Sequence, residues 1–428
     1  MRLVRSVPLV VTLGITACST LLDIHDPEIE GASIGPSEGG LDEAGDPPGD
    51  SAPPVDTGVD AGLVCPARKG DCNKVLSDGC ETNLTTPSNC GSCGHVCLAC
   101  DNGQCAPQTV ASGAGLDYGG FVGVDGASLY WASQGSKAFY EVPKAGGAVV
   151  VRIGVDPADF TSIHVGPSYL GATAYSVAPG VRMLDPVDKV TMLPGIQNDG
   201  CGRALGLVAD ETGAVYYAHA SQPGLCDTAT LSITKRTPAG GGAFQQPWTF
   251  DLGGYRANES EWMAVDAGYL YFIGYRDSVP GLYRISRGGG SAGLVAGGNF
   301  NSAPIAVDDT SIYAVLNGDE AGAAATVVAY DKTNGNPTIL ATGERSFAPS
   351  AAAGSARKAQ LAIDATHVYW TAADDAALPT KLGRIMRIPK GGGAKEILAD
   401  QQPGAYGVAI DAGFVYWTTS TAIKRIPK

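Results

Sequence analysis

Charged residues are scarce. Only 17% of the 428 positions are Asp, Glu, Lys or Arg, and histidine and methionine occur five times each. Between Ser19 and Val64 there is no Lys or Arg, against eleven Asp and Glu, so this segment carries −11 of the net charge of −14. The remainder is close to neutral and offers no basic face to a nucleic acid. Long apolar runs are missing too: Val7–Leu13 is too short to cross a bilayer as a helix. The chain is instead rich in Gly (59) and Pro (27), with Val, Ile, Tyr and Trp in short runs. That mixture favours many short strands joined by tight turns.

Arg2 and Arg5 precede the apolar stretch, and Ile15-Thr16-Ala17-Cys18 follows it. This resembles the bacterial lipobox, in which small residues lead to a cysteine that is acylated. The resemblance implies a signal peptide over 1–17, lipid attachment at Cys18, and a protein anchored to a membrane without spanning it. Ser19 stands where a retention Asp would, which points to the outer membrane of a Gram-negative cell envelope, facing the periplasm or the exterior. Residues 18–64, with "GPSEGGLDEAGDPPGDSAPPVDTGVDAG", bury too little apolar surface to offset chain entropy and read as a disordered acidic tether.

With Cys18 set aside, ten cysteines remain, an even number in an oxidising setting. Cys65, Cys72, Cys80, Cys90, Cys93, Cys97, Cys100 and Cys105 cluster in a module over 65–106, too short to form a core without covalent staples. The pairs Cys90-x2-Cys93 and Cys97-x2-Cys100, with His95 between them, invite a zinc reading. Only three residues separate the pairs, fewer than a zinc ribbon uses, so disulfides are expected and no metal or cofactor. The spacing does not choose the pairing. The phrase "DGCETNL…NCGSCGHVC" resembles short Cys-rich modules of exported myxobacterial proteins. Cys201 and Cys226 stand apart and are expected to pair, pinning the insertion "HASQPGLCDTATL".

From residue 107 to 428 one phrase recurs. The copies read "VGVDGASLYW", "GLVADETGAVYY", "MAVDAGYLYF", "IAVDDTSIYA", "LAIDATHVYW" and "VAIDAGFVYW", with Asp at 125, 210, 266, 308, 364 and 411. A worn copy, "SIHVGPSYLG", has Gly166 in the Asp place. Spacings run from 41 residues (Asp125 to Gly166) to 56 (Asp210 to Asp266), the range of four-stranded propeller blades. The Asp is expected to accept backbone N–H groups in the first turn. A third strand ends in "EVPKAGG", "RISRGGG" or "RIPKGGG", and a fourth, such as "KEILAD", completes the unit. The last copy stops at "KRIPK", and "PQTVASGAG" (107–115) matches its missing strand, so the N-terminal strand is expected to close the ring.

The expected fold is therefore all-β, a seven-bladed β-propeller closed by an N-terminal strand. Tyr130-Trp131, Tyr369-Trp370-Thr371 and Tyr416-Trp417-Thr418 resemble the YWTD and NHL propellers, and more loosely the streptogramin-lyase propeller. The final Asp of YWTD is here replaced by Ser133, Ala372 and Thr419, and YWTD rings have six blades.

Catalytic patterns are weak. Gly31-Ala-Ser33-Ile-Gly35 and Gly35-Pro-Ser37-Glu-Gly39 match a nucleophile elbow but lie in the tether, and Gly288-Gly-Gly290-Ser-Ala-Gly293 has no helix after it. His164 replaces a small residue on an innermost strand. It reads first as an oddity of the worn copy and second as a channel base, the sole catalytic candidate. Tyr118, Phe121, Arg203, Glu261, Trp262, Gln360 and Tyr406 precede or begin inner strands and are expected to ring the channel mouth. The sequence thus points to a monomeric envelope lipoprotein that binds a protein or glycan without catalysis. A lyase or hydrolase acting in the channel, and a structural scaffold, are the alternatives.

Overall fold

The repeated phrase folds as strand, turn, strand because its β-branched and aromatic residues flank a short polar turn. In the Asp364 copy, Leu361–Ile363 pairs antiparallel with His367–Ala373. That strand pairs with Leu382–Pro389, which in turn pairs with Glu396–Pro403. The computed structural model describes residues 64–75, 77–113, 116, 121–133, 136, 138–153, 159–166, 169–175, 180–184, 190–193, 203–221, 230–240, 243–244, 248–250, 252, 255–256, 263–276, 279–298, 300, 303–316, 324–345, 360–373 and 382–428. All fall in one unit, Gly62–Lys428. Cys18 and the acidic segment up to residue 63 lie outside them, as do Cys201 and Cys226.

The other copies use the same order. Val122–Val124, Ser128–Ser133, Ala138–Pro143 and Val150–Ile153 form one four-stranded sheet. Asp159–Gly166, Tyr169–Tyr175, Gly180–Leu184 and Val190–Leu193 form the next. Two boundaries between copies are bridged by strand pairing, at Tyr255–Arg256 with Tyr275–Arg276 and at Arg345 with Ala373. Four copies therefore share two continuous sheets of nine and eight strands. The described residues contain no helix and form an all-β propeller with six distinct blades.

Closure follows the expected route. Gln108–Ser112 pairs antiparallel with Ala422–Pro427, completing the sheet of the Asp411 copy with a strand from the other end of the chain.

The core lies between sheets, so the second and third strands of a unit bury both faces, while outer strands such as Gly293–Gly297 stay largely exposed. In His367–Ala373, Trp370 joins a cluster with Tyr313, Val315 and Val327 of the preceding copy. Its neighbour Tyr369 points the other way, into a cluster with Val408, Val415 and Trp417 of the following copy. Phe272 and Tyr271 divide in the same manner. Each such side chain, fully buried, contributes roughly 1.5–3 kcal/mol of transfer free energy, and neither face is buried unless both neighbours are in place.

The Cys-rich module contains three small hairpins and four disulfides: Cys65–Cys80, Cys72–Cys93, Cys90–Cys100 and Cys97–Cys105. Every cysteine of the two C-x2-C pairs is bonded to a cysteine outside its own pair, so the sulfurs a zinc site would need are in disulfides. His95 Nδ1 lies 2.7 Å from the Cys90 carbonyl oxygen. Gly91 adopts φ +77, and a Cβ there would meet the Gly103 carbonyl oxygen at 2.3 Å, so the fold admits only glycine at this close crossing. Cys105 packs against the cluster that holds Val408 and Trp417, which ties the module to the ring.

Candidate functional site

The turn aspartates do more than cap their turns. Asp364 Oδ1 accepts from Thr366 N at 2.9 Å and His367 N at 2.8 Å, while Oδ2 accepts from the Tyr369 hydroxyl at 2.8 Å. Oδ2 also receives Lys428 Nζ at 2.9 Å, from the end of the third strand of the next copy. The same contact joins Lys144 to Asp411 (2.9 Å), Lys390 to Asp308 (2.6 Å) and Lys332 to Asp266 (2.5 Å), and Arg287 pairs with Asp210. Each cation comes from the copy that follows its aspartate around the ring. Sequence reading identified the aspartates and missed these partners, although "VPK", "SRG" and "IPK" repeat the base in one place.

These contacts set the local ionisation. Burial pushes the Asp411 carboxyl up, but Lys144, the turn N–H groups and the Tyr416 hydroxyl outweigh it and hold it at about 2. Asp308 and Asp364 are lowered further: burial opposes, while Lys390 and Lys428 respectively, with the turn amides, prevail. The partner tyrosines shift the opposite way, since burial and the adjacent carboxylate both disfavour a phenolate. All of these shifts belong to the joints between blades.

At the other end of the inner strands, three of the seven residues expected at the mouth come together. Gln360 Oε1 accepts from Val122 N at 3.2 Å and Val408 N at 3.0 Å, so one side chain fastens the first residues of two inner strands. Phe121 and Tyr406 stack edge to face, with ring centroids 5.8 Å apart. All three are more than nine-tenths buried. Thr371 Oγ1 donates to the Tyr406 carbonyl at 2.9 Å and fixes its backbone. The Gln360 amide nitrogen makes no hydrogen bond among the described residues. Arg203 begins the strand Arg203–Ala209, of which only the backbone is described there; Tyr118, Glu261 and Trp262 lie outside the described residues.

His164 sits on Asp159–Gly166, part-buried, and burial pushes its imidazole down to about 4, so it is neutral at pH 7. Two before the turn Asp, Gly123 has no room for a side chain because the residue just before the next copy's turn sits on it: a Cβ there would lie 2.3 Å from Val165 Cγ2, although the Asp210 copy holds Val208 at that place. Ala264 and Val307, and Ala362 and Ile410, share clusters in the same relation. Where His164 is large, the following copy carries Ala209 instead of Val or Ile.

Solved structures share this architecture. A streptogramin B lyase matches with a TM-score of 0.52 at 12% identity, over 75% of this chain and 97% of that one. Virginiamycin B lyase from Staphylococcus aureus matches at 0.53 and 10%, over 76% and 99%. Its catalytically inactive form with quinupristin matches at 0.54 and 11%, over 76% and 99%. By structure, the chain is similar to β-propeller lyases. At this identity the likeness shows the fold alone. No protein-family model matches the chain, and no curated protein matches it by sequence.

Proposed function

We propose that the chain is a cell-envelope lipoprotein whose propeller binds a protein or glycan partner without catalysis. Cys18 carries the lipid, 18–64 is the tether, 65–106 the disulfide module and 107–428 a ring of seven blades. The protein is a monomer held at the outer membrane through its acyl chains, with no nucleic-acid partner. The seventh blade is the Gly166 copy, whose four strands pair in the order of the other copies.

The observation that carries the binding reading is the group at Gln360. Its carbonyl is committed to Val122 N and Val408 N, the aromatic pair Phe121–Tyr406 stiffens the surround, and its amide donor is left for a partner. A rigid aromatic surround with one oriented donor suits a peptide carbonyl or a sugar hydroxyl. The activity named for the similar lyases is not carried over, because at 10–12% identity the likeness shows the fold alone.

The test is capture on the immobilised full chain from solubilised envelope, with soluble chain as competitor and both peptide and sugar analysis of the eluate. A competed partner that is lost with Gln360→Glu, which keeps the acceptor and removes the donor, supports the reading. A folded column that retains nothing competable refutes a tight envelope partner.

A further inference from the structure

The joints between blades amount to a repeated receptor for a side-chain cation. In the Asp308 copy, Lys390 Nζ lies 2.6 Å from Asp308 Oδ2 and 5.0 Å from the centroid of the Tyr313 ring. The Asp364 copy holds Lys428 at 2.9 Å, with the Tyr369 ring centroid 5.4 Å away. In the Asp266 copy the corresponding distances are 2.5 Å from Lys332 to the carboxylate and 5.8 Å to the Tyr271 ring. A carboxylate and the face of the tyrosine bonded to it thus form a cradle for an ammonium group.

Asp125 and Tyr130 make the same cradle. Asp125 Oδ1 accepts from Ala127 N at 2.8 Å and Ser128 N at 2.7 Å, and Tyr130 donates to Oδ2 at 2.9 Å. Among the described residues no cation reaches Asp125. The copy that would supply it is the worn one: its third strand, Gly180–Leu184, is followed by Asp185 and Pro186 where the others place Lys or Arg.

A second difference acts in the same direction. Across the sheet, Tyr271, Tyr369 and Tyr416 face Arg284, Arg387 and Arg425, whereas Tyr130 faces Glu141. Glu141 accepts from Ser128 Oγ at 2.6 Å and pairs with Arg152. The Asp125 cradle therefore has a second carboxylate across the sheet, itself paired with Arg152, at the place where Tyr313 of the Asp308 cradle faces Ala329 and the other three face arginines.

We propose that Asp125, Tyr130 and Glu141 form a lysine-accepting notch, filled by an exposed lysine of a protein partner in the way Lys390 fills the Asp308 cradle. The notch belongs to the turn that ends an inner strand, and Gln360 to the residues that begin one. The two sites therefore fail independently: a partner lost with Gln360→Glu would leave the notch intact.

The test uses the full chain with 13C-labelled tyrosine, the Tyr130 ring signals being assigned through Tyr130→Phe. The probe is Nα-acetyl-lysine methylamide, with Nα-acetyl-norleucine methylamide as its uncharged match. The lysine probe should shift Tyr130 saturably while the norleucine probe does not. Asp125→Asn, which keeps the turn acceptor, should weaken the response about ten-fold, the order expected for an ion pair over a ring face. Glu141→Gln leaves the turn untouched and should weaken it to a smaller extent, so the result survives if the first variant misfolds. Equal response to both probes, or unchanged affinity in both variants, would overturn the proposal. So would a Tyr130 shift on Lys189→Ala without any probe, since the worn copy's own hairpin lysine would then be the occupant.

Discussion

Lys144 Nζ lies 2.9 Å from Asp411 Oδ2, joining side chains 267 positions apart. At the same seam Arg425 donates to the Lys144 carbonyl at 2.8 Å, and Gln108–Ser112 lies along Ala422–Pro427. The junction that closes the ring is therefore held by the device used at its ordinary joints, with one strand pairing added. The geometry treats the meeting of the chain's ends as one more joint between blades.

Removing that cation should cost as much as removing any other. Lys144 and Asp411 are each about one-fifth exposed, so screening is incomplete and the loss on Lys144→Gln is expected at about 1–2 kcal/mol. Lys390→Gln, at the Asp308 joint, should match it. The check is urea denaturation, read as a lower midpoint with an unchanged slope. A double cycle with Asp411→Asn should show coupling at the closing seam; strict additivity there would mean the pair contributes nothing.

Acid should open these joints over a defined range. The folded-state carboxyl of Asp411 is depressed to about 2, below the ordinary value of 3.8. Its stabilisation is therefore complete above pH 3.8 and disappears as pH falls through about 2, with Asp308 and Asp364 following at still lower pH. His164 acts earlier. Its folded value of about 4 lies below its ordinary 6.5, so stability is lost between those limits as the unfolded chain gains a proton first. A His164→Gln variant should flatten the loss between pH 6.5 and 4 and leave the steeper fall below it in place; a calorimetric pH series reads both.

Much of this was legible in the sequence, and the rest was hidden for physical reasons. The period of the phrase around Asp125 to Asp411 announced the sheets, because a blade needs four strands and a turn at fixed spacing. The closing strand at 107–115 was legible because the last copy lacked one. Lys144, Lys390 and Lys428 stood in view at one place in the repeat, but a pairing across copies is not visible in any one of them. The Gln360 bridge left no signal, since its two acceptor contacts are backbone amides of Val122 and Val408. The blade count is harder to read because pairing at Arg256–Tyr275 and Arg345–Ala373 runs across copy boundaries.

The packing between inner strands gives a test of the small-residue row. A methyl group on Gly123 would stand 2.3 Å from Val165 Cγ2, and a β-branched side chain has little freedom to turn away. Gly123→Ala should therefore destabilise by about 1–3 kcal/mol, the ordinary cost of overpacking. Val165→Ala alone should also destabilise, by removing partly buried methyl groups. Together they should recover part of the sum, because the new Cβ fills the space the valine leaves. Denaturation midpoints of the three variants decide it: a double variant no better than the sum of the singles would mean the contact is not what excludes a larger residue.

Reduction should separate the module from the ring. The four disulfides link positions 15, 21, 10 and 8 apart, and they overlap, so that opening one leaves its neighbours spanning the gap. By loop entropy each is worth roughly 2–3 kcal/mol, Cys72–Cys93 the most, in a segment with little apolar core of its own. Full reduction should therefore unfold residues 65–106. The ring has another source of stability: Gln108–Ser112 remains paired with Ala422–Pro427, and the inter-sheet clusters draw on Cys105 only at their margin. Limited proteolysis in dithiothreitol should cut within 65–106 and leave a resistant fragment that begins near Gln108. Digestion that proceeds into the ring at the same rate would show that the Cys105 contact makes module and propeller one cooperative unit.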